Sequence, residues 1–139
     1  MSLDVSLYIK KPHKSKIVRN GKRVLYSEIY DALGIEDRSL EFKEVRVYDS
    51  NITHNLSGMA DAAGIYEALW RPEDIPATKA GDLIELLSSG LRKLKNSPDV
   101  YKEFNPSNGW GSYKGLVEFV ESYLKACTEF PEAEISVSR

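Results

Sequence analysis

The side chains best suited to chemistry are concentrated between residues 49 and 72. His54 is one of two histidines in the chain. Because an imidazole changes charge near neutral pH, His54 is a candidate general base. Arg71 is a candidate clamp for a carboxylate or phosphate group, and Asn51 and Asn55 are candidates to orient the substrate. One hypothesis is therefore a small enzyme that acts on an anionic substrate.

The same residues also have a purely structural explanation. Thr53 is a good N-cap for a helix predicted from about His54 to Ala63, and Asn51 is the second choice. Side chains at such a position satisfy the free backbone N–H groups of the first helical turn. That same helix end can also bind an anion. The sequence leaves both explanations of His54 open.

The two tryptophans provide a second set of candidate residues. Trp70 precedes Arg71, and Trp110 lies in a glycine-rich connection that also contains Asn105 and Asn108. An aromatic floor with a polar rim is typical of a ligand-binding pocket. Tryptophan is also highly buried on average, so both side chains could instead fill gaps where loops cross the core. A third explanation is a protein-contact patch, in which tryptophan is enriched.

The sequence predicts neither a metal site nor a cofactor site. His54 with Asp49 or Asp61 falls short of the three or four spaced ligands that a zinc site requires. His13 lies among lysines, which repel cations. The chain also contains no phosphate-binding glycine loop and no nucleophile-elbow motif.

Charge is distributed unevenly along the chain, although its net charge is only −2. Residues 1–26 carry seven Lys/Arg against one acid, or +6, and residues 27–139 carry twelve against twenty, or −8. Asn20-Gly21 lies among the basic residues and is a strong signal for a type I′ β-hairpin. This basic hairpin, residues 10–23, is either a solvated ribbon or an arm that contacts nucleic-acid phosphates. The acidic remainder makes nucleic acid the less favoured partner.

Other features indicate the environment of the protein. Cys127 is the only cysteine and cannot form an intramolecular disulfide, and its place on an apolar helix face predicts a buried, unreactive thiol. Residues 3–9 alternate between apolar and polar types and do not form a signal-peptide core. No run approaches the roughly 20 apolar residues of a membrane helix. We therefore expect a soluble, cytoplasmic protein without a membrane partner.

Hydrophobic periodicity and turn signals predict strands first and helices afterwards. The predicted elements are strand 3–9, hairpin 14–26, short helix 28–33, strand 41–48, helix 54–63, helix 79–96, short helix 98–104, helix 113–128 and strand 133–137. Strands grouped before helices indicate an α+β fold. We expect an antiparallel or mixed sheet of three to five strands, covered on one face by three main helices. The chain 1–139 is expected to be a single domain in which residues 10–40 are an elaboration.

Individual residues mark the ends of these helices. Ser27, Thr78 and Ser112 are the predicted N-caps of the helices that follow them. Gly64 is the predicted C-terminal stop of the helix that begins near His54. Gly90 interrupts the helix 79–96 at a cost of roughly 1 kcal/mol against alanine, which suggests close packing at that position.

Five segments together resemble a family of small proteins encoded by bacteria and their phages. These segments are Met1–Val5, Asn51–Leu56, Ala63–Glu73, Phe104–Tyr113 and Leu116–Leu124. The resemblance implies a phage or mobile-element origin and carries no assigned activity. Residues 10–40 look like an elaboration that similar proteins shorten or vary, which implies that the basic hairpin is not the shared function.

The leading hypothesis is a binding or adaptor protein. Its most distinctive polar and aromatic residues lie in loops at helix ends and do not make a complete catalytic set. The predicted contact surface combines loops 51–54, 69–72 and 105–110, and the expected partner is another protein or a small anionic ligand. The candidate binding residues are Asn51, His54, Asn55, Trp70, Arg71, Asn105, Asn108 and Trp110.

Overall fold

The computed structural model describes residues 1–139 and has an α+β fold, as predicted. Its elements in chain order are β1 (Ser2–Pro12), β2 (Lys14–Arg19), β3 (Lys22–Leu25), α1 (Tyr26–Leu33), β4 (Phe42–Thr53), α2 (Ser57–Ala62), α3 (Tyr66–Trp70), α4 (Ile84–Asn96), α5 (Pro98–Lys102), α6 (Tyr113–Glu129) and β5 (Glu134–Ser138). Short 3-10 turns cover His54–Leu56, Pro72–Asp74 and Ala80–Leu83. Six α-helices thus accompany a three-stranded antiparallel sheet and a two-stranded sheet.

The chain divides into two compact units. One unit comprises Met1–Tyr8 and Arg46–Arg139, and the other comprises Ile9–Val45. Strands β1 and β4 each contribute residues to both units. That residues 1–139 are a single domain with an elaboration at residues 10–40 stays a prediction.

The larger unit contains the three-stranded sheet, whose strand order is β4-β1-β5. Strand β1 alternates as predicted: Leu3, Val5 and Leu7 are fully buried, whereas the residues between them are more exposed. On the inner face of the sheet, the Tyr48 ring of β4 stacks on Tyr123 of α6 with 5.8 Å between ring centroids. Alternation along β1 therefore separates an apolar face from a polar one.

Strand β4 extends past its predicted end at Tyr48 and continues to Thr53. The prediction was wrong because residues 49–51 are turn-forming types that read as a loop. In the structure, they belong to a strand whose next residue, Ile52, is buried. Burial of Ile52 and pairing of the backbone outweigh the local preference of the polar residues for a turn.

The two long helices α4 and α6 pack against each other. Leu87 and Leu94 of α4, and Leu116 and Val120 of α6, are fully buried. Gly90 lies on the same buried side of α4, where an added Cβ atom would collide with the side chain of Ile65. The close packing predicted at this glycine is therefore confirmed.

The predicted N-cap of α6, Ser112, is confirmed. The predicted N-cap of the segment leading to α4, Thr78, is wrong. Ser112 Oγ accepts a hydrogen bond from the Gly115 N–H at 3.1 Å. Thr78 was predicted to cap the following helix, but the carboxylate of Asp82 accepts from the N–H groups of Thr78 and Lys79, both at 3.1 Å. A carboxylate at a helix N-terminus carries a charge that the helix dipole favours, which a hydroxyl lacks.

The smaller unit contains the basic hairpin. Asn20 and Gly21 have φ values of 54° and 76°, which confirms the predicted type I′ turn between β2 and β3. Ser27 was predicted to cap a helix that starts at residue 28, but α1 begins at Tyr26, so Ser27 lies inside its first turn. Glu28 has the capping role instead, since its carboxylate accepts from the Leu25 N–H at 3.2 Å.

The predicted environment of Cys127 is also confirmed. Its thiol is free and fully buried in α6. Burial raises the pKa of Cys127 to about 12, so the reactive thiolate is scarce at neutral pH. Among the helices, none combines the length and the apolar character needed to cross a membrane.

Candidate functional site

The first loop of the candidate site leads from β4 into α2. Thr53 Oγ1 accepts a hydrogen bond from the Asn55 N–H at 3.3 Å, so Thr53 is the N-cap, as predicted. Asn51, the second choice, lies within β4 and is exposed. A 3-10 turn beginning at His54 then continues into α2, in the segment predicted as one helix.

The chain reverses after α2 at a glycine. Gly64 has a φ of 77°, and the Ile65 N–H donates to the Ala60 carbonyl at 2.9 Å. This six-to-one hydrogen bond confirms the predicted Schellman stop. The reversal starts α3, whose last residue, Trp70, packs beside the first loop with 6.2 Å between its ring centroid and that of His54.

Trp70 and His54 are joined by a hydrogen bond. The Trp70 side chain is only 2% exposed, and its indole Nε1–H donates to His54 Nδ1 at 2.8 Å. An indole N–H is only a donor, so the imidazole nitrogen that it contacts must carry the lone pair. The neutral His54 ring accordingly holds its own proton on Nε2.

This tautomer bears directly on the enzyme hypothesis. A general base needs a lone pair within reach of the proton that it removes. In His54, the Nδ1 lone pair is occupied by Trp70, and Nε2 is a donor. Catalysis by His54 would therefore require the imidazole to release the Trp70 indole first.

Arg71 is connected to the same cluster through an aromatic ring. The neighbouring Tyr66 hydroxyl is the largest cause that raises the pKa of Arg71 above its ordinary value. The Tyr66 ring stacks on Trp70 with 5.6 Å between centroids and 21° between planes. Arg71 is thus linked to His54 through Tyr66 and Trp70, and no hydrogen bond joins Arg71 to His54.

The second loop, residues 105–112, is organised by its asparagines. Asn108 Oδ1 accepts from the Trp110 N–H at 2.9 Å, and Asn105 Oδ1 accepts from the Tyr113 N–H at 2.7 Å. Both are short side-chain-to-backbone contacts of the kind that asparagine makes in turns. The amide oxygens of these two predicted ligand-binding residues therefore hold the backbone of the loop and of the first residue of α6.

The two loops touch at Trp110 and Gly111. Asn55 Nδ2 donates to the Trp110 carbonyl at 3.3 Å. Gly111 has a φ of 107°, and a Cβ atom there would lie 2.7 Å from Thr53 Cγ2 and 3.0 Å from Leu56 Cγ. Only glycine fits this approach without displacement of the first loop. The Trp110 side chain itself is 72% exposed.

The structure brings most predicted site residues together but separates one of them. His54 and Asn55 are adjacent in the first loop, where Asn55 contacts the Trp110 backbone and His54 contacts Trp70. Asn51 instead lines a polar groove of about 600 Å³ on the outer face of the sheet. The other residues that line this groove include Asp4, Ser6, Tyr8, Arg46, Asp49, Ser136 and Ser138.

Sequence reasoning missed two residues that complete the Trp70 cluster. The spacing of Tyr66 could have indicated its contact with Trp70, since residues four apart on a helical turn share a face. No local pattern indicates Arg139, which lies 69 residues from Trp70 and 66 from Glu73. Its guanidinium Nη1 donates to the Trp70 carbonyl and to Glu73 Oε1, each at 2.7 Å. Trp70 is therefore held at its ring by His54 and at its backbone by Arg139.

Comparison of the chain with protein-family models, curated proteins and solved structures gave no match. No group of three or more His, Cys, Asp or Glu side chains is placed to hold a metal ion. A function for these loops must consequently be inferred from their own geometry. That geometry offers a buried aromatic cluster around Trp70 and an exposed indole at Trp110 on a loop held by hydrogen bonds.

Proposed function

We propose that the protein is a binding or adaptor protein of phage or mobile-element origin, and that Trp110 is the centre of its contact surface. The observation that carries this proposal is the combination of an exposed indole and a fixed backbone. The Trp110 N–H is bound by Asn108 and its carbonyl by Asn55, while the side chain is 72% exposed. The segments with the family resemblance include both loops, which supports a shared role for them.

An indole presented in this way is suited to a protein partner. Tryptophan is enriched among the few residues that dominate binding energies at protein interfaces. Its side chain has only two torsions, so a large apolar area is buried at a low cost in conformational entropy. Because hydrogen bonds already hold the backbone, little further ordering of the loop is needed on association.

The surroundings of Trp110 give this surface a polar rim. Asn55, Asn105 and Asn108 are all exposed, and each retains hydrogen-bonding capacity beyond the one backbone contact described above. An apolar centre with a polar rim is typical of protein interfaces. His54, Trp70 and Arg71 lie behind this surface as its support, in this proposal.

Two broader expectations belong to the same proposal. We propose that the helices 54–63, 79–96 and 113–128 act as the three main helices that cover one sheet face and carry the loops. We also propose a cytoplasmic location, in keeping with a single buried thiol and no disulfide. The enzyme and nucleic-acid hypotheses stay predictions, because no specific contact favours them.

The test is affinity capture from bacterial lysate with wild-type protein and two variants. Trp110→Ala removes the proposed anchor, and Leu86→Ala removes an exposed apolar side chain on α4 as a matched control. We expect a protein that is retained by the wild type and by Leu86→Ala and is lost with Trp110→Ala. Identical sets of captured proteins for all three baits, quantified by mass spectrometry, would contradict the proposal.

A further inference from the structure

Strand β5 forms an edge of the three-stranded sheet. The backbone edge of β5 that faces away from β1 is only partly paired with other backbone. The segment before α4 covers its beginning: the Ala80 N–H donates to the Ala133 carbonyl at 2.8 Å, and the Ile135 N–H donates to the Thr78 carbonyl at 3.3 Å. Lys79 forms an isolated antiparallel bridge with residue 134. No further backbone bridge is made along this edge after Ile135.

Strand geometry places the backbone N–H and C=O of Val137 on the edge that faces away from β1, where they have no backbone partner. In an antiparallel strand, successive residues direct their N–H and C=O groups to opposite sides, so residues two apart point the same way. Because the Ile135 N–H points away from β1 towards Thr78, the N–H and C=O of Val137 also point away from β1. They form a donor and an acceptor at an open sheet edge.

The apolar layer of the core also continues to this edge. Val137 pairs with Val5 and Ile135 pairs with Leu7 across the two strands. Val5 and Leu7 are fully buried, whereas Val137 and Ile135 are only half-buried. The inner face of the sheet thus ends in two apolar side chains that lack a cover on one side.

A groove of about 560 Å³ lies beside these two side chains. Its apolar lining includes Pro72 and Ala77, and its rim includes charged residues whose charges are already paired. Arg139 lies 2.7 Å from Glu73, and Lys79 lies 2.6 Å from Glu132. These two pairs offset each other, and the carboxylate of Glu134 is the lining charge that is left without an ion pair.

We propose that this groove binds an extended peptide segment of a partner protein as an additional strand alongside β5. The open donor and acceptor of Val137 match the acceptor and donor of a strand backbone. The floor formed by Ile135, Val137 and Ala77 requires apolar side chains at alternate positions of that occupant. The unpaired carboxylate of Glu134 on the rim favours a segment that carries a basic residue at that point. This site is separate from the Trp110 surface and does not depend on the function proposed for it.

The probe is a library of random twelve-residue peptides displayed on phage and selected on the intact protein. The most enriched peptide is then synthesised, and its affinity is measured for wild type, Val137→Pro and Val137→Thr. Proline removes the outward N–H but leaves the pairing with β1 intact, as expected for an edge position. Threonine keeps the donor and a similar shape. We expect about tenfold weaker binding for Val137→Pro, the loss of roughly one hydrogen bond, and near wild-type binding for Val137→Thr.

A second measurement leaves the protein unchanged. The selected peptide is N-methylated at one residue at a time, which removes one peptide donor in each version. Because the open carbonyl argued here is that of Val137, we expect binding to be lost when the one peptide N–H that meets it is methylated and to be kept when either neighbouring N–H is methylated. This position dependence decides between the outcomes if Val137→Pro proves to be unfolded.

Three results would overturn the proposal. The first is the absence of any enriched peptide whose binding depends on the Val137 N–H. The second is a peptide that tolerates N-methylation equally at every position. The third is light scattering that shows a dimer of the chain abolished by Val137→Pro, since the occupant would then be a second copy and not a partner's peptide.

Discussion

The two tryptophans of this chain are held in opposite ways. At Trp70, the side chain is hydrogen-bonded: the indole N–H donates to His54, and the ring is almost fully buried. At Trp110, the backbone is hydrogen-bonded instead: Asn108 accepts from its N–H and Asn55 donates to its carbonyl, while no hydrogen bond holds the exposed indole. The first arrangement stabilises the fold, and the second leaves an aromatic side chain free to contact a partner.

Replacing each tryptophan by alanine tests this comparison with the largest expected effect. Trp70→Ala should lower the free energy of unfolding by about 3–5 kcal/mol, because it leaves a large cavity and an unpaired His54 nitrogen. Trp110→Ala should change it by no more than about 0.5 kcal/mol. Urea denaturation followed by circular dichroism measures both values. Similar losses for the two variants would show that the comparison is wrong.

Sequence reasoning predicted the local parts of these regions and could not assign the two tryptophans. Caps and turns such as Thr53, Ser112 and Gly64 depend on a few neighbouring residues, and the structure confirms them. Burial depends on which distant segments meet. The sequence therefore allows the same explanation, filling of a gap in the core, for both Trp70 and Trp110, but it holds only for Trp70.

The asparagines illustrate the same limit. Asparagine is equally suited to bind a ligand and to brace its own loop, and its sequence neighbours do not distinguish these roles. Asn105 and Asn108 make their contacts within eight residues, yet whether an amide faces the backbone depends on the conformation of the whole loop. The contact from Asn55 to Trp110 spans 55 residues and has no local signal.

Two glycines of the second loop test whether Trp110 is held by contact with the first loop. Gly111→Ala should destabilise the protein by about 2–4 kcal/mol, because a Cβ atom would approach Thr53 Cγ2 to 2.7 Å and the φ of 107° is strained for alanine. Gly109→Ala is the matched control. Its φ is 75° but nothing lies within 4 Å of an added Cβ, so we expect a loss of only about 1–2 kcal/mol. Chemical denaturation of both variants measures the difference, and equal losses would mean that the loops do not touch as described.

The hydrogen bond between Trp70 and His54 can be isolated by a double-mutant cycle. His54→Phe keeps a ring of similar shape but leaves the buried indole N–H unpaired, which should cost about 1–3 kcal/mol. In a Trp70→Phe background, that donor is absent, so the same change should cost less. Free energies of unfolding for the four proteins give the coupling energy. Strict additivity would show that His54 is not needed as an acceptor and is free for another role.

The smallest effect is expected at the backbone side of Trp70, where Arg139 contacts the Trp70 carbonyl and Glu73. The pKa of Glu73 is lowered from its usual 4.5, first by a hydrogen bond from its own backbone N–H and then by Arg139. A lowered carboxyl pKa contributes stability above pH 4.5 that is lost as the pH falls through the folded-state value. Glu73→Gln should therefore be slightly less stable at pH 7 and should lose less stability than the wild type on acidification below pH 4.5. Thermal unfolding across this range measures the difference, with the exposed Glu67→Gln as control. Curves that stay parallel for Glu73→Gln and wild type would show that Arg139 holds the Trp70 backbone without the help of the Glu73 charge.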